Sequence, residues 1–178
     1  EEVGSETKQG AASTFLYDTL TRLCAALGMD GSEYRRLVAG SFLVSCDNAH
    51  AVHPNHGEFA DRNHTARMNG GVVIKYNANQ RYTSDAVSAG IFRRICESAG
   101  VPVQYYANRA DMPGGSTLGN ISNTQVSLNA VDIGLAQLAM HSPFETAGAA
   151  DTASLVKALT AFFEHSLVAE RDGVYRFL

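Results

Sequence analysis

The chain has 178 residues, of which 45% are hydrophobic and 18% charged. This composition can bury the core of one domain and excludes wholesale disorder. The formal net charge of −4 offers no basic surplus for a nucleic-acid backbone, and no apolar run approaches the roughly 20 residues of a membrane-spanning helix. We therefore expect neither a nucleic-acid nor a membrane partner.

The first half of the chain reads as two helices followed by a strand and a loop. Apolar residues at helical spacing predict a helix over residues 10–27, and Ser32 is a suitable cap for a shorter helix. Residues 41–46 form a β-prone apolar run that predicts a buried strand. Residues 48–70 are polar and rich in histidine, which predicts a loop.

The second half alternates strands with longer helices. Strands are predicted over residues 72–76, 101–107 and 126–133. The helices expected here are one that opens at Ser84 or Asp85 and stops at Gly100, and one over about residues 152–167 that Asp151 caps, with Leu155, Leu159, Phe162 and Phe163 inward. This alternation predicts a layered α/β sandwich, and nothing marks a second domain.

Three cysteines, Cys24, Cys46 and Cys96, are odd in number and form no C-x-x-C pair. Each lies in an apolar segment. We expect buried free thiols, which favour a reducing compartment such as the cytoplasm.

An acid and an imidazole follow predicted apolar segments. Asp47 closes the first strand, and His141 follows residues 138–140. Ligands of open α/β sheets bind beyond the carboxyl ends of strands, so both are candidate site residues. The acidic pair Glu1 and Glu2 offers one carboxylate for a metal and one for a proton. The alternatives are an aspartate that caps a turn and a solvated acidic pair.

Other polar groups leave more than one interpretation open. Four of the six histidines lie close together in the 48–70 loop, where they could contact a substrate, a metal or a neighbouring subunit: His50, His53, His56 and His64. Lys75 interrupts an apolar strand and either reaches solvent from a sheet edge or meets an acidic substrate group. The glycine-rich loop 113–119 could bind an anion, but it lacks the lysine of a P-loop.

Five short blocks stand out along nearly the whole chain. They are Glu1-Glu2-Val3-Gly4-Ser5 with Gln9-Gly10-Ala11, residues 47–55 (DNAHAVHPN), residues 74–82 (IKYNANQRY), Gly115-Ser116-Thr117 and Met140-His141-Ser142. These blocks resemble the aspartyl aminopeptidase family of metallo-aminopeptidases, and because they occur in the right order, the match is specific.

The resemblance implies a layered α/β/α sandwich with a mixed sheet and an enzyme that removes the N-terminal residue of peptides. It implies a two-metal site, usually zinc, with manganese or cobalt as alternatives. By motif position, Glu1 is the general base, Glu2 and His141 bind one metal, and Asp47 binds the other. Three further residues match positions that contact substrate: His50, Lys75 and Tyr82. Lys75 and His50 would neutralise an acidic first residue. Members are cytosolic or vacuolar and commonly assemble as homo-oligomeric dodecamers, and for this chain we expect the cytoplasm.

The resemblance also implies that part of the site comes from elsewhere. Family members draw a further metal-binding histidine and a bridging aspartate from an upstream segment, which carries an inserted dimerisation domain. Because this chain begins at Glu1 without an initiator Met, we expect residues 1–178 to be the C-terminal part of a catalytic domain and inactive alone. The alternatives are a non-catalytic metal-binding or oligomer-assembly module and, more remotely, a phosphate-binding domain.

Overall fold

The computed structural model describes residues 4–171 and 173–178. Its centre is a four-stranded mixed sheet. The strands of this sheet are β1 (Phe42–Cys46), β3 (Val72–Tyr76), β4 (Val103–Ala107) and β5 (Asn129–Gly134). They lie in the order β1-β5-β3-β4, in which the outer pairs β1–β5 and β3–β4 are parallel and the central pair β3–β5 is antiparallel.

Five α-helices and two smaller sheets complete the described part of the chain. The helices are α1 (Phe15–Ala26), α2 (Gly31–Gly40), α3 (Ala86–Ser98), α4 (Leu118–Ser122) and α5 (Ala149–Glu164). A second sheet joins β2 (Ala49–His50), β6 (Ala136–Leu138) and β7 (Thr146–Ala147), and a hairpin joins β8 (Leu167–Arg171) and β9 (Val174–Phe177). None of the helices in the described ranges is long and apolar enough to cross a membrane.

The alternation of side chains in the central strands separates two faces of the sheet. One face carries Ile74 and Ile133, which pack with Phe92 of α3 and Ala158 of α5 in the main core. The other face carries polar side chains, including Lys75. Helices α3 and α5 therefore cover the apolar face, which leaves the polar face for chemistry.

Short helix α4 approaches the polar face. Its Gly119 donates its backbone N–H to Ser45 Oγ at 3.0 Å, and a Cβ on Gly119 would lie 2.4 Å from Ser45 Cβ. Only glycine permits this approach. The predicted layered α/β sandwich with a mixed sheet is confirmed.

Several predictions about single elements are wrong. Asp30, rather than Ser32, caps α2, because its carboxylate accepts from two backbone N–H groups while Glu33 closes the capping box. Helix α1 begins at Phe15 rather than near residue 10. Strand β1 is only half-buried because it lies at a sheet edge, and Cys46 at its end is exposed rather than buried.

The last helix also differs from its prediction. Gly148 is its N-cap, and Asp151 is buried inside the first turn. Asp151 instead accepts hydrogen bonds from the backbone N–H groups of Asn69 and Gly71, at 2.6 and 2.8 Å. Phe163, expected to face inward, is 80% exposed. Asp85 caps α3, one of the two residues that the sequence offered.

Candidate active site

Asp47 lies directly beyond the end of β1. Its backbone N–H donates to Ile133 O at 2.9 Å, which continues the pairing of β1 with β5 for one more residue. The side chain is 26% exposed, so its carboxylate stays open to the space above the sheet. Asp47 thus places a partly exposed carboxylate beyond the carboxyl end of β1, as the sequence predicted.

Lys75 is buried on β3, in the middle of the sheet, and therefore does not reach solvent from an edge. Its Nζ donates to Asp47 O at 2.8 Å and to Asn48 O at 3.3 Å, and lies 3.6 Å from Asp47 Oδ2. Burial lowers the pKa of Lys75, while the charges of Asp47 and Asp132 oppose that shift. The ammonium therefore has partners within the chain, and its burial requires no substrate anion.

His50 reports on its charged neighbours. Partial burial of the ring is the main cause that lowers its pKa; the charges of Lys75 and His141 add to this, and Asp47 opposes it. His50 thus lies within electrostatic range of Lys75 and of Asp47 and His141, which are two of the three predicted metal ligands.

His141 lies in the loop between β6 and β7. Strand β6 pairs with β2 in the register His50↔Gln137, so His141 follows the partner of His50 by four residues. His141 is exposed, and its backbone N–H donates to Glu145 Oε1 at 2.6 Å. The second sheet therefore links the strand that carries His50 to the strand that leads into the His141 loop.

Tyr82 is buried beside Lys75, whose Nζ lies 5.0 Å from the ring centroid. Burial is the main cause that raises the pKa of Tyr82, the negative charges of Asp132 and Asp47 act in the same direction, and a hydrogen bond with Asn108 opposes it. The phenol is therefore a neutral hydrogen-bonding group near neutral pH.

Asp132 is a buried carboxylate on the polar face that sequence reasoning missed. Its Oδ2 accepts from Thr83 N at 2.5 Å and Thr83 Oγ1 at 2.8 Å, while Oδ1 is buried without a hydrogen-bond partner among the described residues. Asp132 lies near the end of a predicted strand, but no pattern in the sequence indicated that its carboxylate is buried on the polar face. Asp132 holds the residue that follows Tyr82.

Glu145, Asn48 and Asn108 were missed as well. Asn48 accepts from Leu135 N at 3.1 Å and donates to Gln137 Oε1 at 2.5 Å, so it fixes β2 against β6. Such short polar residues carry no sequence signal beyond their proximity to the predicted ligands.

A cavity of about 340 Å³ adjoins His50. Phe59, Met112 and Leu138 contribute apolar walls, and Arg109 also lines it. The Arg109 guanidinium is already paired with the Asp111 carboxylate and with Glu58 O. The volume of the cavity is large enough for one side chain of a peptide, and its surroundings are mostly apolar.

The remaining loop histidines divide between this cavity and the surface. The rings of His53 and His56 are 5.1 Å apart and line the cavity. His64 pairs with Asp61 at 3.1 Å on the surface. Of the four clustered histidines, His50 alone is an electrostatic neighbour of Asp47 and Lys75 among the interactions described.

The metal hypothesis can be tested on part of its ligand set. Glu1 and Glu2 lie outside the described residues, and within residues 4–171 and 173–178 no group of three or more His, Cys, Asp or Glu side chains could hold a metal ion. Asp47 and His141 nevertheless supply a carboxylate on a partly exposed side chain and an imidazole on an exposed residue. This donor chemistry fits zinc, with further ligands required.

A mixed α/β sheet with Asp47 directly beyond β1, next to a second sheet that carries His50 in β2 and His141 in the loop after β6, defines an α/β domain with a candidate metallohydrolase site. A family model described as aminopeptidase I zinc metalloprotease (M18) matches residues 1–163. The chain belongs to this M18 family, which confirms the resemblance found in the sequence.

Individual relatives agree with this assignment. The chain is 48% identical over 166 residues to a probable M18 family aminopeptidase 2 of Pseudomonas aeruginosa, and 43% identical over 164 residues to a probable aspartyl aminopeptidase of Ricinus communis. These matches cover 93% and 92% of the chain but 38% and 33% of the relatives. The chain thus spans well under half the length of the curated relatives that it matches.

Solved structures show the same partial coverage. A structure of Ape4 in complex with Nbr1 matches with a TM-score of 0.88 and 40% identity over 92% of this chain and 31% of that one. A structure of the yeast mApe1 dodecamer matches with a TM-score of 0.79 and 28% identity, over 93% and 36%. The described fold is therefore that of a part of an M18 aminopeptidase.

Proposed function

We propose that this chain supplies the C-terminal part of the active site of a metal-dependent aminopeptidase, which hydrolyses the N-terminal residue of peptides. The observation that carries the proposal is the position of Asp47, whose partly exposed carboxylate lies directly beyond β1 and 3.6 Å from the buried Lys75 ammonium. Membership of the M18 family and the exposed His141 in the loop after β6 support the same chemistry.

In this proposal Glu2 and His141 bind one zinc ion, Asp47 binds the second, and Glu1 is the general base. Bound metal ions would activate a water molecule and polarise the scissile carbonyl. Glu1 would accept the proton of the attacking water and return it to the leaving amine. Lys75 would hold the main chain at Asp47, and the neutral Tyr82 phenol would offer a hydrogen bond to the substrate.

The ligands of this chain alone are too few for a tight two-metal site. Structural and catalytic zinc ions have at least three protein ligands each, whereas Glu2, Asp47 and His141 give three for both. Because the relatives are more than twice as long, we propose that the missing ligands come from the part of the enzyme that these residues do not match. The 178-residue chain alone would then be inactive.

A chimeric enzyme tests the catalytic role directly. In this enzyme, the chain replaces the matching residues of the Pseudomonas aeruginosa relative. We expect the chimera to hydrolyse aminoacyl anilides and the Glu1→Gln variant to lose about 10²-fold or more in kcat while its metal content, measured by mass spectrometry, is unchanged. Undiminished turnover in the variant would remove Glu1 from the mechanism, and a chimera that binds zinc without hydrolysis would favour the non-catalytic module.

The preferred first residue follows from the charges near the site. Lys75 is paired with Asp47 and Asn48, but its positive charge next to the site still supports a preference for Asp or Glu. The apolar walls of the neighbouring cavity, including Phe59 and Met112, favour a large apolar residue instead. We propose the acidic preference, because charge complementarity discriminates strongly in a partly buried site. Comparison of Asp-, Glu- and Leu-anilides tests it, and a strong leucine preference would refute it.

The assembly and the compartment are also proposed. The yeast relative is a dodecamer in its solved structure, which supports a homo-oligomer for the complete enzyme. Three free thiols, one of them exposed, support a reducing cytoplasm. Light scattering of the chimeric enzyme tests the assembly, and a monomeric active enzyme would contradict it.

A further inference from the structure

The loop that carries His141 has an unusual backbone. Ala139 has φ +56° and His141 has φ +65°, although neither is glycine. Side chains with a Cβ are disfavoured in this left-handed region and persist there only when their surroundings hold them. Two such residues within three positions indicate that the loop conformation is held by specific contacts.

The contacts that hold the loop are on either side of His141. Ser142 N donates to Ala139 O at 3.0 Å, which closes the turn. The Glu145 carboxylate reaches back across the loop and accepts from His141 N at 2.6 Å. The ends are fixed by the pairing of Leu138 with Thr146 between β6 and β7.

We propose that Glu145 is a positioning residue that holds the His141 backbone so that its imidazole faces the active site. The direction of the Cα–Cβ bond follows from φ, so a relaxation of His141 to an ordinary negative φ would turn its side chain away. Glu145 acts through the peptide N–H, which leaves both ring nitrogens of His141 available for other contacts.

Two simpler roles for Glu145 can be distinguished from the positioning of His141. If Glu145 were only an exposed polar residue of a turn, its replacement would change nothing at His141. If its negative charge were what counted, removal of the charge alone would be as harmful as removal of the side chain. Glutamine distinguishes these roles, because its amide oxygen accepts the same hydrogen bond without the charge.

The first experiment uses the chain itself, without metal. Amide hydrogen exchange at His141 is measured by NMR in the wild type, Glu145→Ala and Glu145→Gln, with Glu164→Ala on the exposed end of α5 as the control. We expect protection to fall about tenfold in Glu145→Ala, which removes the acceptor, and to be largely retained in Glu145→Gln and the control. Unchanged protection in Glu145→Ala, or equal loss in Glu145→Gln, would overturn the proposal.

The second experiment rests on the proposed function and uses the chimeric enzyme. We expect Glu145→Ala to weaken zinc binding by about 10–100-fold, as outer residues that orient a ligand do, and Glu145→Gln to restore most of it. The Co²⁺ absorption spectrum of the substituted enzyme should change in Glu145→Ala alone. Lost protection with zinc affinity unchanged would instead refute His141 as a metal ligand, so the two failures are distinguishable.

Discussion

At the scale of single residues, the buried cation Lys75 holds the main chain directly beyond β1. Its ammonium binds two consecutive main-chain carbonyls, Asp47 O and Asn48 O, directly beyond β1. A charged donor shared by two carbonyls is stronger than a neutral one, and it compensates in part for the burial of the charge. Lys75 therefore fixes the direction in which the Asp47 carboxylate leaves the sheet.

Lys75→Met tests this role, because methionine keeps much of the volume and removes the donor. We expect a loss of about 1–3 kcal/mol in the free energy of unfolding, since the two carbonyls lose their charged partner. Urea unfolding measures it. Lys157→Met, on an exposed position of α5, is the matched control, with a change within about 0.5 kcal/mol. Equal stability of both variants would show that the Lys75 contacts contribute nothing.

The pH dependence of His50 gives a second test. Because its folded pKa is lowered below 6.5, the unfolded state binds more protons between the two values, and the contribution of His50 to stability is lost as the pH falls below 6.5. NMR titration should give a midpoint below 6.5 in the metal-free chain. Lys75→Met should raise it and Asp47→Asn should lower it further. Shifts of the opposite sign would contradict the described neighbourhood.

Most site residues could be predicted individually, but their relations could not. Asp47 and His141 end apolar runs, and the family-like blocks mark His50, Lys75 and Tyr82. The roles of all of these, and of Glu1 and Glu2, stay predictions. Asp132 and Glu145 were missed because a hydrogen bond across a sheet or a loop depends on pairing and register that no local pattern encodes.

At the scale of elements, a buried carboxylate joins α5 to the start of β3. Both oxygens of Asp151 accept backbone N–H groups, from Asn69 and Gly71. Asp151→Asn would place an amide NH₂ against one of these donors. We expect a loss of about 1–3 kcal/mol in urea unfolding, with Glu164→Gln at the exposed end of the same helix as the control. If the Asp151→Asn variant were as stable as the wild type, these two hydrogen bonds would not be what holds α5 to the start of β3.

Two phenylalanines test which helix faces form the core. Phe92 of α3 is fully buried in the main core, whereas Phe163 of α5 is 80% exposed. We expect Phe92→Ala to cost about 3–5 kcal/mol in thermal or urea unfolding. Phe163→Ala should cost less than about 0.5 kcal/mol in the isolated chain. Similar losses would show that both rings are buried in solution.

The errors at this scale have local physical causes. Ser32 and Asp30 are both good caps, and the second prevails because Glu33 completes its capping box. Apolar spacing predicted α5 well, yet the placement of Phe163 on its exposed side depends on which face meets α3. By contrast, β3 matches its predicted bounds, because a buried central strand is continuous in apolar residues apart from Lys75.

At the scale of the whole molecule, the described residues hold only part of the proposed ligand set. The chain covers 38% of the Pseudomonas aeruginosa relative, and the described residues include only two of the three predicted metal ligands. Several large apolar side chains are exposed, among them Phe15 at the start of α1, Leu27 directly after α1 and Phe144 in the loop between β6 and β7. The alternation of strands and helices predicted the layers, whereas the mixed sheet was predicted by the family resemblance.

The central claim is that Asp47 and His141, remote in sequence, bind metal ions of one site. The most direct measurement is a crystal structure of the zinc-loaded chimeric enzyme, with anomalous scattering at the zinc edge. We expect two neighbouring zinc peaks, one within bonding distance (about 2.0–2.2 Å) of the Asp47 carboxylate and the other within the same distance of the His141 imidazole. Zinc peaks bound elsewhere, with these two side chains facing away from them, would contradict it.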